Sequence, residues 1–109
     1  MNACDILREV FEQRLTAEQA DEFLAHVLDS PEAGKAESLL MLTRPEWTAH
    51  GHGSTLEELA RWRYRGWPTR CIRCSREIEI DKFGWKVVDV DGVSALSHIQ
   101  CAQWGKQWR

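Results

Sequence analysis

Two short motifs constrain the fold of this chain more than any other feature of its sequence. Cys71-Ile72-Arg73-Cys74 and His98-Ile99-Gln100-Cys101 each contain two sulfur or imidazole ligands with two residues between them, and 23 residues separate Cys74 from His98. Thiolates and imidazoles at this spacing are typical of a tetrahedral Zn²⁺ site. Because the protein fills all four positions, we expect one structural zinc ion. A redox dithiol, coincidental core residues and an iron site are the alternatives.

The segment between the two motifs has the pattern of a β-hairpin. Residues 85–90 and 93–96 are rich in β-forming side chains, and Asp91-Gly92 between them is a strong hairpin-turn signal. Ser97 has the spacing of a capping box with Gln100, so a short helix is expected from His98 to near Gly105. A core as small as that of residues 67–109 supplies only about 3–5 kcal/mol. A structural zinc ion adds on the order of 10–16 kcal/mol, so we expect the ion to stabilise this segment.

The order of a Cys-x-x-Cys turn, a hairpin and a His-x-x-Cys helix resembles a treble-clef zinc finger over residues 70–109. The first zinc site of LIM domains is similar in ligand order, although Ala102-Gln103-Trp104 stands where a LIM domain continues into further cysteines. The nick-sensing finger of poly(ADP-ribose) polymerases is similar too, with aromatic residues after its last cysteine. The resemblance implies metal-ligand roles for Cys71, Cys74, His98 and Cys101, and suggests DNA-end binding.

The first half of the chain has the apolar periodicity of helices. Helices are predicted over residues 5–15, 16–29, 30–43 and 55–64, with residues 44–53 as a loop that has room for one helical turn around Trp47. Capping boxes are predicted for Thr16 with Gln19 and for Ser54 with Glu57. The predicted fold class is therefore α+β. An acidic bundle of three to four helices in residues 1–66 packs on a treble-clef zinc subdomain in residues 67–109.

Charge is divided unevenly along the chain. Residues 1–60 contain 12 acidic against 4 basic residues, whereas residues 61–109 contain 10 basic against 5 acidic. Residues 61–76 include six arginines, three aromatic residues and no acidic residue. Guanidinium groups bind phosphates and exposed rings stack on bases, so this segment is the candidate surface for nucleic acid or a protein partner. Its predicted binding residues are Arg61, Arg63, Arg65, Trp67, Arg70, Arg73 and Arg76.

Packing and ion pairing offer another interpretation of the same segment. Trp62 lies three residues after Leu59 and fits the core face of the fourth helix, while Arg61 lies four residues after Glu57. Arginine and aromatic residues are also common at protein interfaces.

The function predicted from these patterns is that of a small non-enzymatic zinc-binding regulator that binds nucleic acid. The alternative is a protein-interaction adaptor or inhibitor that docks on a nucleic-acid-handling enzyme. No catalytic set, phosphate-binding loop or small-molecule site is evident. His50 and His52 are interpreted as solvated loop residues, and the alternatives are metal binding, titration near neutral pH or an enzymatic site around them. The longest apolar run, residues 39–42, is too short for a membrane span. We therefore expect a cytoplasmic protein.

Overall fold

The computed structural model describes residues 3–104, with side chains for residues 3–101, and combines α-helices with one two-stranded antiparallel sheet. The helices are α1 (Ile6–Phe11), α2 (Ala17–Leu28), α3 (Ala36–Leu39), α4 (Arg44–Gly51), α5 (Leu56–Arg65) and α6 (Ile99–Trp104). The strands are β1 (Trp85–Val90) and β2 (Val93–His98), and short 3₁₀ turns cover Ala33–Lys35 and Ile80–Lys82. The predicted end of the last helix near Gly105 lies outside the described residues.

Two of the helices begin at capping boxes, one of them at the residues that the sequence predicts. The Thr16 hydroxyl accepts the Gln19 backbone N–H, and the Gln19 side chain accepts the Thr16 N–H in return. Thr55 and Glu58 make the same reciprocal pair at the start of α5, which ends at Gly66 with φ 115°. The box predicted at Thr16 and Gln19 is confirmed, whereas the box predicted at Ser54 and Glu57 is wrong by one residue, because Thr55 and Glu58 have the same spacing and form it instead.

The structure corrects the predicted boundaries of residues 5–53. The first helix ends at Phe11, since Gln13 has φ 63°, and a left-handed residue does not continue a helix. The predicted third helix reduces to a 3₁₀ turn and the single turn of α3, after which Met41 has φ 55°. The predicted loop is wrong, because Thr43 and Glu46 form another capping box that starts α4. Pro45 lies in the first turn of α4, where a backbone N–H has no acceptor within the helix, so its absence in proline breaks no helical hydrogen bond.

The hairpin has the predicted turn. Val90 pairs with Val93 across Asp91 and Gly92, whose φ values of 54° and 82° match a type I′ turn. β2 extends to His98, two residues further than predicted, and pairs there with Trp85. Ser97 therefore belongs to the strand, and its hydroxyl donates to the His98 carbonyl oxygen at 2.9 Å instead of capping α6.

One hydrophobic cluster joins the helical region to the hairpin. It includes Leu7 of α1, Leu24 of α2 and Leu59 of α5 together with Trp85 and Leu96 of the strands. The division at residues 66 and 67 stays a prediction. The shared cluster fixes the hairpin against the helices, and the hairpin in turn positions His98.

Candidate metal centre

Four potential ligand side chains from two separate parts of the chain meet at one point. Cys71 and Cys74 lie in a turn that is closed by an isolated β-bridge between Arg70 and Glu77. His98 is the last residue of β2, and Cys101 lies in α6. One ligand atom from each of these cysteines and from His98 lies within 4.8 Å of the others.

The distances between these atoms fit a single metal ion. Cys74 Sγ lies 3.4 Å from His98 Nδ1, and Cys101 Sγ lies 3.8 Å from the same nitrogen. A tetrahedral ion with metal–sulfur bonds of about 2.3 Å and metal–nitrogen bonds of about 2.0–2.1 Å separates sulfur from nitrogen by about 3.6 Å. The Cys₃His group is thus positioned to bind one metal ion, with Nδ1 as the ligand atom of His98.

Cys71 is the buried member of the group, and the backbone stabilises its thiolate. The backbone N–H groups of Arg73 and His98 each donate to Cys71 Sγ at 3.4 Å. Burial opposes ionisation of this thiol, but N–H groups of Cys74, His98 and Arg73 outweigh burial and lower the pKa of Cys71 to about 5. Donors of this kind also orient a sulfur ligand towards its metal ion.

The Cys101 sulfur resists ionisation beside Cys71. Burial, together with the neighbouring side chains of Cys74 and Cys71, raises the pKa of Cys101 to about 11. Several thiolates within a few ångströms repel one another, and a divalent cation offsets this repulsion and deprotonates its thiol ligands. The donor set therefore fits a cation and would be strained electrostatically as a set of three free thiolates.

Backbone hydrogen bonds hold the cysteine turn in shape and attach it to β2. The Cys71 N–H donates to the Arg76 carbonyl oxygen and the Ser75 N–H donates to the Cys71 carbonyl oxygen, both at 2.9 Å. The Ile72 N–H donates to the Leu96 carbonyl oxygen at 2.9 Å. We call residues 70–76 the knuckle. These bonds bring its two cysteines to the end of the strand that contains His98.

Tryptophan rings connect the hairpin to the helical region. The ring centroid of Trp67 lies 5.0 Å from that of Trp62 on α5 and 5.8 Å from that of Trp85 on β1. Trp85 is fully buried, and its indole N–H donates to the Ile80 carbonyl oxygen at 2.9 Å. Trp67, which the sequence predicts as a partner-binding residue, thus has its ring packed between two other tryptophans.

Two polar contacts between the helices and the hairpin were not predicted. His52 Nδ1 accepts the Val87 N–H at 3.3 Å, and the Glu58 carboxylate accepts the Ser94 hydroxyl at 2.9 Å. His52 is therefore a contact residue of β1 and not a free loop histidine. Its partner lies 35 positions away, and no local pattern in the sequence indicates such a pair.

The structure corrects the prediction for Arg63. Its guanidinium donates from Nε to Glu46 Oε2 at 2.7 Å and from Nη1 to Asp5 Oδ1 at 2.6 Å, and Nη2 binds Glu46 Oε1 and the Met41 carbonyl oxygen. Its side chain is 18% exposed. Arg63 is thus committed to an internal ion network that joins α1, α4 and α5, because buried carboxylates require a cationic partner.

The other predicted binding arginines are exposed on two different elements. Arg61 and Arg65 lie on α5, where Arg61 Nη1 is 3.9 Å from Glu57 Oε1. Arg70, Arg73 and Arg76 lie on the knuckle. The predicted continuous surface is therefore divided by the fold into an internal residue, a pair on α5 and a trio beside the metal ligands.

Comparison of the chain with known protein families, curated proteins and solved structures gave no match. Among residues 3–104, no helix is long and apolar enough to cross a membrane.

Proposed function

We propose that this chain is a small non-enzymatic zinc protein that binds the phosphate backbone of nucleic acid through its knuckle. One observation carries the proposal: Arg70, Arg73 and Arg76 are exposed on the same short turn that contains two of the metal ligands. None of the three forms an ion pair among the described residues. Exposed cations that have no carboxylate partner are available to phosphates.

The donor chemistry supports zinc as the ion. Three thiolates and one imidazole are the soft and borderline ligands that zinc binds tetrahedrally. Four protein ligands leave no position for a reacting water, which supports a structural role. The order of knuckle, hairpin and helix supports the treble-clef interpretation, in which the ion stiffens the turn that presents the arginines.

The packing of the tryptophans determines which nucleic-acid contacts we expect. Trp62 is buried, Trp67 packs against it, and Tyr64 stacks on Phe11 with ring centroids 4.5 Å apart. Among the residues whose side chains are described, these rings pack against one another, so we expect phosphate contacts to contribute more than base stacking on them. We therefore expect duplex and single-stranded oligonucleotides to bind with similar affinity and with a strong dependence on salt.

Fluorescence anisotropy with a labelled duplex oligonucleotide tests this proposal on the full zinc-loaded chain. The logarithm of the binding constant is measured against the logarithm of the salt concentration for the wild type and for the double variant Arg73→Ala, Arg76→Ala. If both arginines contact phosphates, the variant loses about 1.8 from the magnitude of the slope.

A matched control is the double variant Lys35→Ala, Arg44→Ala, which removes the same net charge from exposed positions in the helical region. Its slope should equal that of the wild type. No binding at low salt by a chain that contains one zinc ion rejects the proposal, and an equal loss in both double variants rejects the knuckle as the site.

A further inference from the structure

An open groove lies on the side of α5 that carries Arg61 and Arg65. Its volume is about 610 Å³, within the range of sites that hold ligands or partner side chains. One wall is α5 and the other is the end of α1 with the turn that follows it. Gln13 with φ 63° makes this turn, which brings Leu15 back beside Val10 in the groove wall.

The lining of the groove combines apolar and polar surface in similar amounts. Val10, Phe11 and Leu15 contribute from the first helix and its turn, and Ala60 contributes from α5. Val10 and Leu15 are half-buried, and Phe11 is 37% exposed. Apolar surface that faces water in a concave site favours a partner that buries it.

Two arginine side chains line the groove beside its apolar residues. Arg65 forms no ion pair among the described residues, and its guanidinium carbon lies 5.9 Å from the centroid of the Phe11 ring, a cation–π contact. Arg61 is only loosely paired with Glu57, since their closest atoms are 3.9 Å apart and both side chains are more than half exposed. Such an exposed pair exchanges partners at little cost.

Nearby arginines differ from this pair. Arg8 forms an ion pair with Glu12, the residue that follows α1. Arg14 forms ion pairs with Glu9 of α1 and with Glu12. Of the arginines near this face, Arg61 and Arg65 are thus the ones that can pair with an anionic partner, and they lie beside apolar side chains. A partner that complements the groove therefore carries negative charge for the two arginines and an apolar side chain for the apolar part of the lining.

We propose that the groove docks an acidic segment of a partner protein. One bulky apolar side chain of that segment fills the space between Val10, Leu15 and Ala60, and its carboxylates pair with Arg61 and Arg65. A nucleic acid fits this site less well, because its phosphate backbone has no apolar side chain to fill the space between Val10, Leu15 and Ala60. This surface is separate from the knuckle in sequence, and the proposal requires neither the metal ion nor nucleic-acid binding.

Selection from a phage-displayed library of random peptides on the full zinc-loaded chain tests the proposal. Peptides that also bind the double variant Arg61→Glu, Arg65→Glu are removed. We expect the enriched peptides to combine several acidic residues with a large aliphatic or aromatic residue. In anisotropy measurements with one labelled synthetic peptide from this set, charge reversal should weaken binding by at least about tenfold.

The matched control is the double variant Lys35→Glu, Arg44→Glu, which makes the same change in net charge and should bind the peptide as the wild type does. In NMR spectra, the peptide should shift resonances of Val10, Leu15 and Ala60. The proposal is overturned if no peptides are enriched, if the enriched peptides are neutral or basic, if the control loses as much affinity, or if the shifted resonances lie on the knuckle.

Discussion

Replacing Arg63 with methionine tests whether its ion network stabilises the fold. Arg63→Met keeps a long apolar stem but removes the guanidinium that contacts Glu46 and Asp5. The Arg63 side chain is 18% exposed and that of Glu46 is 3% exposed, so the variant leaves a carboxylate in a site that water hardly reaches.

The size of the effect follows from this burial. Removing one partner of a buried pair costs about 3–5 kcal/mol. We expect the lower limit, about 3 kcal/mol, because Glu46 still accepts the Thr43 N–H at 2.8 Å in the capping box of α4. Arg61→Met on the same helix is the matched control. Its ion pair is exposed and 3.9 Å long, so its loss should cost less than about 0.5 kcal/mol.

Urea unfolding followed by tryptophan fluorescence and circular dichroism measures both variants at a fixed excess of zinc, because metal binding contributes to the measured stability. The second change Glu46→Gln in the Arg63→Met background should recover part of the loss, since it removes the unpaired charge. A loss for Arg63→Met within about 0.5 kcal/mol of the Arg61→Met value would refute the reasoning.

Three further outcomes are expected. Cys71→Ser should lower the metal content measured by mass spectrometry from one ion per chain and unfold the hairpin, whereas Cys4→Ser should keep the ion and cost less than about 1 kcal/mol; equal effects would contradict the site. Burial lowers the pKa of His52, so the unfolding free energy should fall as pH drops below about 6.5, and His52→Gln should flatten this dependence; parallel pH profiles would count against the contact. Thr43→Ala should destabilise α4 by about 1 kcal/mol and Thr48→Ala within the helix by less; a reversed order would argue against the cap.

The features that the sequence predicted best depend on residues close together in the chain. The capping box at Thr16 and the turn at Asp91 and Gly92 each involve a few consecutive residues, and both form as predicted. The box predicted at Ser54 forms one residue later, at Thr55. A capping hydrogen bond or a left-handed turn needs only local backbone geometry, so a short pattern identifies it.

Prediction failed where two local signals competed. Thr43 and Glu46 have the spacing of a capping box, but the apolar run through Leu42 favours a longer third helix, and Pro45 resembles a loop signal. The left-handed Met41 decides the conflict by ending α3 early, which leaves Thr43 free to cap α4. Neither signal alone shows which of them prevails.

By itself the sequence determined the spacing of the metal ligands, the hairpin turn and the starts of two helices, because their geometry is set within a few residues. Only the tertiary structure decided the direction of each arginine in residues 61–76. Arg63 turns inward because Asp5, 58 positions away, and the buried Glu46 meet it there. Contacts of this kind depend on which distant segments pack together, and that depends on the folding of the whole chain.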